Sequence, residues 1–225
     1  MRVLLVHGLG RTPLSLFWLA RSLRSGGHST RFFAYSPTFE RLDRIVRRLT
    51  RLLHELSRID EPVALIGHSL GGLLLRMALP TVHDLNTLHL IMLGTPNRAP
   101  RLARLAWRWL PFRLLTGTCG QFLATPRAFG QLRNPGVSMT VIAGTAGPRG
   151  RFSPFGHDPN DGVVAVSETQ NDSIENHVQF PVWHTLMMNA VTVQAHILAL
   201  LQSGSAVFSN LPRQVGQITK KMPIV

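Results

Sequence analysis

Ser69 stands in the pentapeptide Gly67-His68-Ser69-Leu70-Gly71, between the apolar run Val63-Ala64-Leu65-Ile66 and the helical pattern Gly72 to Leu79. A hydroxyl therefore sits where a strand turns into a helix. A serine on so sharp a turn is held in a strained backbone conformation, and glycines two places before and two after remove the side chains that would collide. The turn lifts the hydroxyl above the sheet edge, and the unpaired N–H groups of the helix's first turn point toward any oxyanion forming beside it. The chemistry this predicts is nucleophilic attack by Ser69 on a carbonyl carbon. Such a nucleophile needs a base to take its proton and an acid to orient that base.

The residues around Ser69 resemble the nucleophile elbow of the α/β-hydrolase superfamily, and Gly67-His68-Ser69-Leu70-Gly71-Gly72 is especially similar to its lipase and esterase branches. In that superfamily the acid and then the base follow the serine along the chain. Asn160-Asp161-Gly162-Val163-Val164 resembles the segment that supplies the acid in many bacterial lipases, which makes Asp161 the expected acid and Asp158 its nearest competitor. An Asp-Gly pair would form a turn in any case. Trp183-His184-Thr185-Leu186-Met187-Met188 is similar to the segment that carries the base, so His184 is the expected base among ten histidines. It should leave the last strand and open the final helix, which runs toward Leu201. His177 begins that strand and His196 lies within the helix pattern, so neither is placed to reach Ser69, and His68 is expected to pack beneath the elbow. His7-Gly8-Leu9-Gly10-Arg11-Thr12 resembles the oxyanion loop of the same superfamily; the implied donors are the backbone N–H groups of Leu9 and Leu70. A complete GxGxxG is missing, so dinucleotide or phosphate binding is a poorer account of this turn.

The resemblance runs from Arg2 to about Leu201. It departs from secreted bacterial lipases at Leu186, where an acidic calcium ligand often stands, so calcium dependence and secretion do not carry over. The resemblance implies hydrolysis of a hydrophobic, lipid or medium-chain ester through an acyl-enzyme, with no metal or organic cofactor. The same three side chains could also transfer an acyl group to an alcohol or cleave a thioester. The rival from another class is a noncatalytic adaptor for membranes or anionic polymers, built on a hydrolase fold.

Positioning such a site takes a sheet, and short apolar runs alternate here with helical patterns, the signature of a parallel sheet covered on both faces. Strands are expected at Val3 to Val6, Arg31 to Tyr35, Val63 to Ile66, Leu88 to Leu93, Ser138 to Ala143 and Val178 to Trp183. The expectation is a compact α/β-hydrolase fold over residues 1–202, with a small helical cap inserted at about 96–135 and a tail over 203–225. Leu42, Ile45, Val46, Leu49, Leu52, Leu53 and Leu56 recur at helical spacing before the elbow, with arginines largely opposite. Glu40 with Arg44 and Arg51 with Glu55 are spaced for pairing on that solvated face. The tail loses periodicity from Ser203 and carries the only lysines, Lys220 and Lys221.

Charge is the second unusual property. Twenty-four Lys plus Arg against 11 Asp plus Glu give +13, and the 225 residues contain 44% hydrophobic residues, enough for one substantial core. No acidic residue lies between Asp84 and Asp158, yet nine arginines do: Arg98, Arg101, Arg104, Arg108, Arg113, Arg127, Arg133, Arg149 and Arg151. One part of the molecule should carry a strong positive field. Within the cap, Arg101, Arg104 and Arg108 are expected along one face of a helix over 100–110 and Leu102, Leu105 and Trp109 along another. That pattern suits contact with an anionic membrane and equally suits a helix lining an acyl pocket. Leu110, Phe112, Leu114, Leu115, Phe122, Leu123 and Phe129 are the expected apolar content of the cap. No nucleic-acid module accompanies the arginines, so specific nucleic-acid binding is not expected. Cys119 is the single cysteine, the first apolar run is too short for a signal peptide, and no charge-free apolar stretch reaches about 18 residues. These features lead to the expectation of a cytoplasmic protein that could touch membranes peripherally.

Overall fold

Six strands form, the four inner ones from runs rich in Val, Leu and Ile: β1 (Arg2–Val6), β2 (Ser29–Phe33), β3 (Val63–His68), β4 (Thr87–Leu93), β5 (Met139–Gly144) and β6 (Asn176–Phe180). The structure is a computed structural model and describes residues 1–59, 61–83, 85–171, 174 and 176–209. All six strands pair in parallel, in the order β2-β1-β3-β4-β5-β6. The chain moves outward from β1 to β2, then crosses to β3 on the other side. The crevice above β1 and β3 is thus the switch point at which open α/β sheets bind ligands.

Side chains alternate between two buried layers. Leu4 and Val6 of β1, Leu65 of β3 and Leu90 and Met92 of β4 face one layer, with helices α2 (Leu42–Ser57) and α3 (Leu70–Ala78). Val3 and Leu5, Ala64 and Ile66, Ile91 and Leu93 face the other, with α1 (Phe17–Ser25) and the last helix, α8 (Val191–Ser209). Each fully buried side chain of this kind contributes about 1.5–3 kcal/mol, more than a typical surface ion pair. The period of two, with both faces covered, is what turns these runs into central strands.

Of the six strands, β2 and β6 differ most from the expected ranges. β2 ends at Phe33 rather than Tyr35, because Tyr35 is drawn onto β1: its N–H donates to His7 Nε2 at 3.4 Å and its hydroxyl to the His7 carbonyl at 2.9 Å. β6 spans Asn176–Phe180 rather than Val178 to Trp183. Pro181 offers no N–H there, and Val182 turns back to donate to the Phe180 carbonyl at 2.8 Å. On α2 the ion pairs also differ. Glu40 reaches Arg48 instead of Arg44, Glu55 reaches across to Arg31 of β2 instead of Arg51, and Asp43 pairs with Arg47. Helix α8 continues to Ser209, past the expected loss of periodicity at Ser203, while Lys220 and Lys221 lie outside the described residues.

Between β4 and β5 come three more helices, α4 (Arg101–Ala106), α5 (Leu110–Ala124) and α6 (Pro126–Gly130), and the short α7 (Val166–Thr169) follows β5. The helix expected over 100–110 stops at Ala106. Pro111 cannot continue an existing helix but suits a first turn, so Trp109 is extended and α5 starts anew. Helix α5 kinks at Gly117, whose φ of 49° favours glycine. The loop after β2 anchors it there: Thr38 donates to the Leu115 carbonyl at 2.6 Å, and Thr118 accepts the Leu42 N–H at 2.7 Å. Among the described residues, no helix is long and apolar enough to cross a membrane.

Candidate active site

Ser69 has φ 52° and ψ −120°, the only positive φ outside glycine among the described residues. Three hydrogen bonds hold this strained turn: Ser69 N–H to the Leu93 carbonyl at 2.8 Å, and the Ser69 carbonyl accepting from Thr95 Oγ1 at 3.0 Å and from Gly72 N–H at 3.1 Å. A Cβ on Gly67 would lie 2.3 Å from the Gly72 nitrogen, and one on Gly71 would lie 2.3 Å from the Val6 carbonyl oxygen. The two glycines thus let helix α3 start tight against β3 and β1. Strain of this kind costs roughly 1–3 kcal/mol and is kept only where the surroundings enforce it.

Asp161 lies in the long connection after β5 and is 1% exposed. Its Oδ2 accepts from His184 Nδ1 at 2.7 Å. Its Oδ1 accepts from the backbone N–H groups of Val163 at 2.9 Å and Val164 at 2.7 Å. With Nδ1 donating, the neutral His184 ring presents Nε2 as an acceptor. His184 does not open the final helix. It sits in a turn after β6, with the buried pair Met187 and Met188 between it and α8. Buried Asn160 shapes the acid loop, donating to the carbonyls of Pro148 and Asp158 and accepting from Gly162 N–H. Asp158 belongs to another cluster: it binds Arg101 at 2.8 Å and accepts from Ser167 at 2.6 Å.

Arg101 is therefore turned inward, away from the face expected to hold Arg104 and Arg108. Besides Asp158 it faces the buried carboxylate of Glu168 at 3.4 Å, and its backbone N–H donates to the same group at 2.8 Å. Burial raises the pKa of Glu168 despite these partners. This cluster clamps the start of α4 onto the segment that carries Asp161.

The turn after β1 lies against the elbow, for a Cβ on Gly8 would sit 2.7 Å from His68 Nδ1 and 3.2 Å from Ser69 Cβ. His7 steadies this turn. Its ring stacks on Tyr35 with centroids 4.3 Å apart, and its Nδ1 donates to the Gly8 carbonyl at 3.0 Å. The N–H groups of Leu9 and Leu70 have no acceptor among the described residues, which leaves both available to a ligand. His68 packs beneath the elbow as expected, its Nε2 donating to the His184 carbonyl at 3.0 Å. Burial, with the neighbouring His184, pushes its pKa well below the usual histidine value. Cys119 is no competing nucleophile, since burial, with Glu40 nearby, pushes its thiol up to about 12.

Ser69, His68 and His184 open into one cavity of about 250 Å³, with Leu9, Arg11, Leu102, Ala103, Phe112, Leu123 and Val163 among its walls. Of the cap residues expected to be apolar lining, Phe112 and Leu123 face this cavity. Phe122 and Phe129 pack into the core instead, and Leu110, Leu114 and Leu115 are exposed. Sequence reasoning did not single out Thr95, Gly94, Asn160, Glu168 or the inward role of Arg101. Asn160 alone carried a signal, as the first residue of the acid segment.

The fold and this arrangement define the chain's class: it belongs to the alpha/beta hydrolase family, whose model matches residues 3–203. Solved structures resemble it at low identity. They include Bacillus licheniformis lipase BlEst2 (21% identical, 88% of this chain and 91% of that one, TM-score 0.66). They also include phospholipase PlaB from Legionella pneumophila (21%, 76% and 46%, TM-score 0.58) and the RedJ thioesterase from Streptomyces coelicolor (14%, 90% and 85%, TM-score 0.59). The sequence has no match among curated proteins.

Proposed function

We propose that the protein is a serine carboxylic-ester hydrolase that works through an acyl-enzyme. The observation that carries this reading is the buried Asp161–His184 hydrogen bond at 2.7 Å beside a strained serine in the same cavity. His184 Nε2 takes the Ser69 proton as Oγ attacks the ester carbon, and Asp161 stabilises the imidazolium. The N–H groups of Leu9 and Leu70 receive the oxyanion, a kind of contact in which each donor is worth on the order of 3 kcal/mol. The imidazolium then gives its proton to the leaving alcohol. A water, deprotonated by the same histidine, attacks the acyl-enzyme, releasing the acid and restoring the Ser69 hydroxyl.

The cavity supports an apolar acyl group. At about 250 Å³ it falls just below the roughly 300–1,000 Å³ of sites for drug-sized ligands, which favours the shorter end of the lipid and medium-chain range. Acyl transfer to an alcohol and thioester cleavage would use the same groups. The cap also exposes Leu105, Trp109, Leu110, Leu114 and Leu115 beside the exposed Arg104, Arg108 and Arg113. Such a face suits peripheral contact with an anionic membrane, indoles at the headgroup level and guanidinium groups on phosphates. A buried free Cys119 is compatible with a reducing, cytoplasmic setting.

The test is hydrolysis of a chain-length series of chromogenic esters by the native protein and Ser69→Ala, with and without anionic vesicles. Turnover lost in Ser69→Ala supports the nucleophile, and stimulation by vesicles supports the membrane face. Absence both of turnover and of covalent labelling by a serine-directed phosphonate would leave the noncatalytic adaptor as the better reading.

A further inference from the structure

Among the side chains that line the site cavity, one carries a permanent charge: Arg11, two residues beyond the Leu9 amide. Its backbone N–H donates to the Gly8 carbonyl at 3.3 Å, so it belongs to the same tight turn that faces Ser69. The side chain is half-buried and has no acidic partner among the described residues. Arg2, Arg31, Arg41, Arg47, Arg48 and Arg101 pair with carboxylates elsewhere in the molecule, and Arg11 differs from the other arginines that have no such pair in that it lines this cavity. No acidic side chain lines the cavity. Asp161, the nearest acid of the site, has one oxygen on His184 and the other on two backbone N–H groups. The charge of Arg11 also reaches the elbow, where it disfavours protonation of His68.

A partly desolvated guanidinium without a counter-ion in a largely apolar cavity is unfavourable until an anion joins it. Its planar fork matches a phosphate or carboxylate in particular. The walls supplied by the cap, Leu102, Ala103, Ala106, Phe112 and Leu123, carry no charge and suit an alkyl chain. Arg11 comes from a different element, the turn after β1. From this we infer that the preferred substrate is an ester whose alcohol part bears a phosphate or carboxylate, which Arg11 binds while the acyl chain lies against the cap. The inference rests on the ester-hydrolase reading and makes Arg11 its specificity-determining residue.

The test compares three hexanoyl esters, of 3-hydroxypropyl phosphate, 4-hydroxybutanoate and 1-butanol, in the native protein, Arg11→Gln, Arg11→Lys and Arg21→Gln. The native protein should favour the anionic esters over the butyl ester by at least about tenfold in kcat/KM, and comparison of the first two esters tells phosphate from carboxylate. That ratio should collapse toward one in Arg11→Gln, be kept in part by Arg11→Lys, and persist in Arg21→Gln, which alters net charge on α1 without touching the cavity. In parallel, Ser69→Ala protein should bind the hexyl ether of 3-hydroxypropyl phosphate at least about tenfold more tightly than hexyl butyl ether, and adding Arg11→Gln should remove the difference. A native ratio near one, or a ratio that survives Arg11→Gln, overturns the inference while the hydrolase reading stands. If no ester turns over, the hydrolase reading fails, and the ether pair still decides whether Arg11 selects an anion.

Discussion

Asp161 holds His184 twice: its carboxylate accepts from the ring at Nδ1 at 2.7 Å, and its backbone carbonyl accepts the His184 N–H at 2.9 Å. One residue therefore sets both the position of His184, the proposed base, and its tautomer. Asp161→Asn keeps the backbone contact and loses the charge. It should leave the fold intact and lower kcat by about 10⁴-fold, as loss of the orienting acid does in serine hydrolases. Turnover and near-ultraviolet circular dichroism measured on the same sample check this.

Ser69→Gly should separate stability from activity. Glycine accepts a φ of 52° without strain, so the urea midpoint should rise by the equivalent of about 1 kcal/mol while turnover disappears. An unchanged or lower midpoint would show that the Ser69 side chain stabilises the turn more than its backbone strains it.

Gly94 follows β4 with φ +56°, and a Cβ there would come 2.9 Å from His184 Nδ1 and 3.2 Å from Asp161 Oδ2. Gly94→Ala should cost more than roughly 1 kcal/mol of stability and at least about tenfold in kcat, because the added methyl pushes directly on the hydrogen bond between acid and base. Urea unfolding and ester kinetics read the two effects.

Arg101→Met removes the partner shared by Glu168 and Asp158. The buried Glu168 carboxylate then faces Asp158 without a cation, at a cost of roughly 1–3 kcal/mol. Glu168 already has a raised pKa. The loss should accordingly be larger at pH 8, where it is charged, than at pH 5, where protonation relieves it. Equal losses at the two values would rule this out.

Acid should destabilise the protein earlier than its carboxylates alone would. Burial lowers the pKa of His7, His68 and His177 from 6.5. Below pH 6.5 the unfolded chain takes up protons that the folded one refuses, so stability falls with pH from that point and continues to fall until the lowered folded values are reached. Urea midpoints should be flat above about pH 7 and decline between 6.5 and 5. His68→Gln should flatten part of that decline.

The parts of this site that were legible in the sequence are those whose signal is local. Gly67 to Gly72 encode a turn that works only with small residues, and the unbroken apolar runs Val3 to Val6 and Val63 to Ile66 record burial on both faces. The pairing of Asp161 with His184 was legible through short segments that carry their own turn chemistry. What escaped notice depends on contacts distant in the chain. Arg101 at the start of a basic helix reads as one more surface charge, and only the approach of Asp158 and Glu168 turns it inward. Tyr35 leaves β2 because His7 offers it partners that neighbouring residues cannot announce. The exposure of Leu110, Leu114 and Leu115 depends on the kink at Gly117 and on Thr38 and Thr118, which hold α5 to another loop.

The strand order has a kinetic meaning. Leu9 follows β1, Ser69, Asp161 and His184 follow β3, β5 and β6, and Gly94 follows β4 between them, so the candidate site is drawn from five adjacent strands paired over long sequence separations. Parallel pairings of this kind form slowly, since loop closure must precede the contacts that reward it. β6 lies at the far edge and positions His184, the proposed base, so an intermediate lacking that strand would not hold the proposed site. During refolding, recovery of turnover should therefore lag behind recovery of helical signal, and catalysis would serve as a clock for the docking of the last strand.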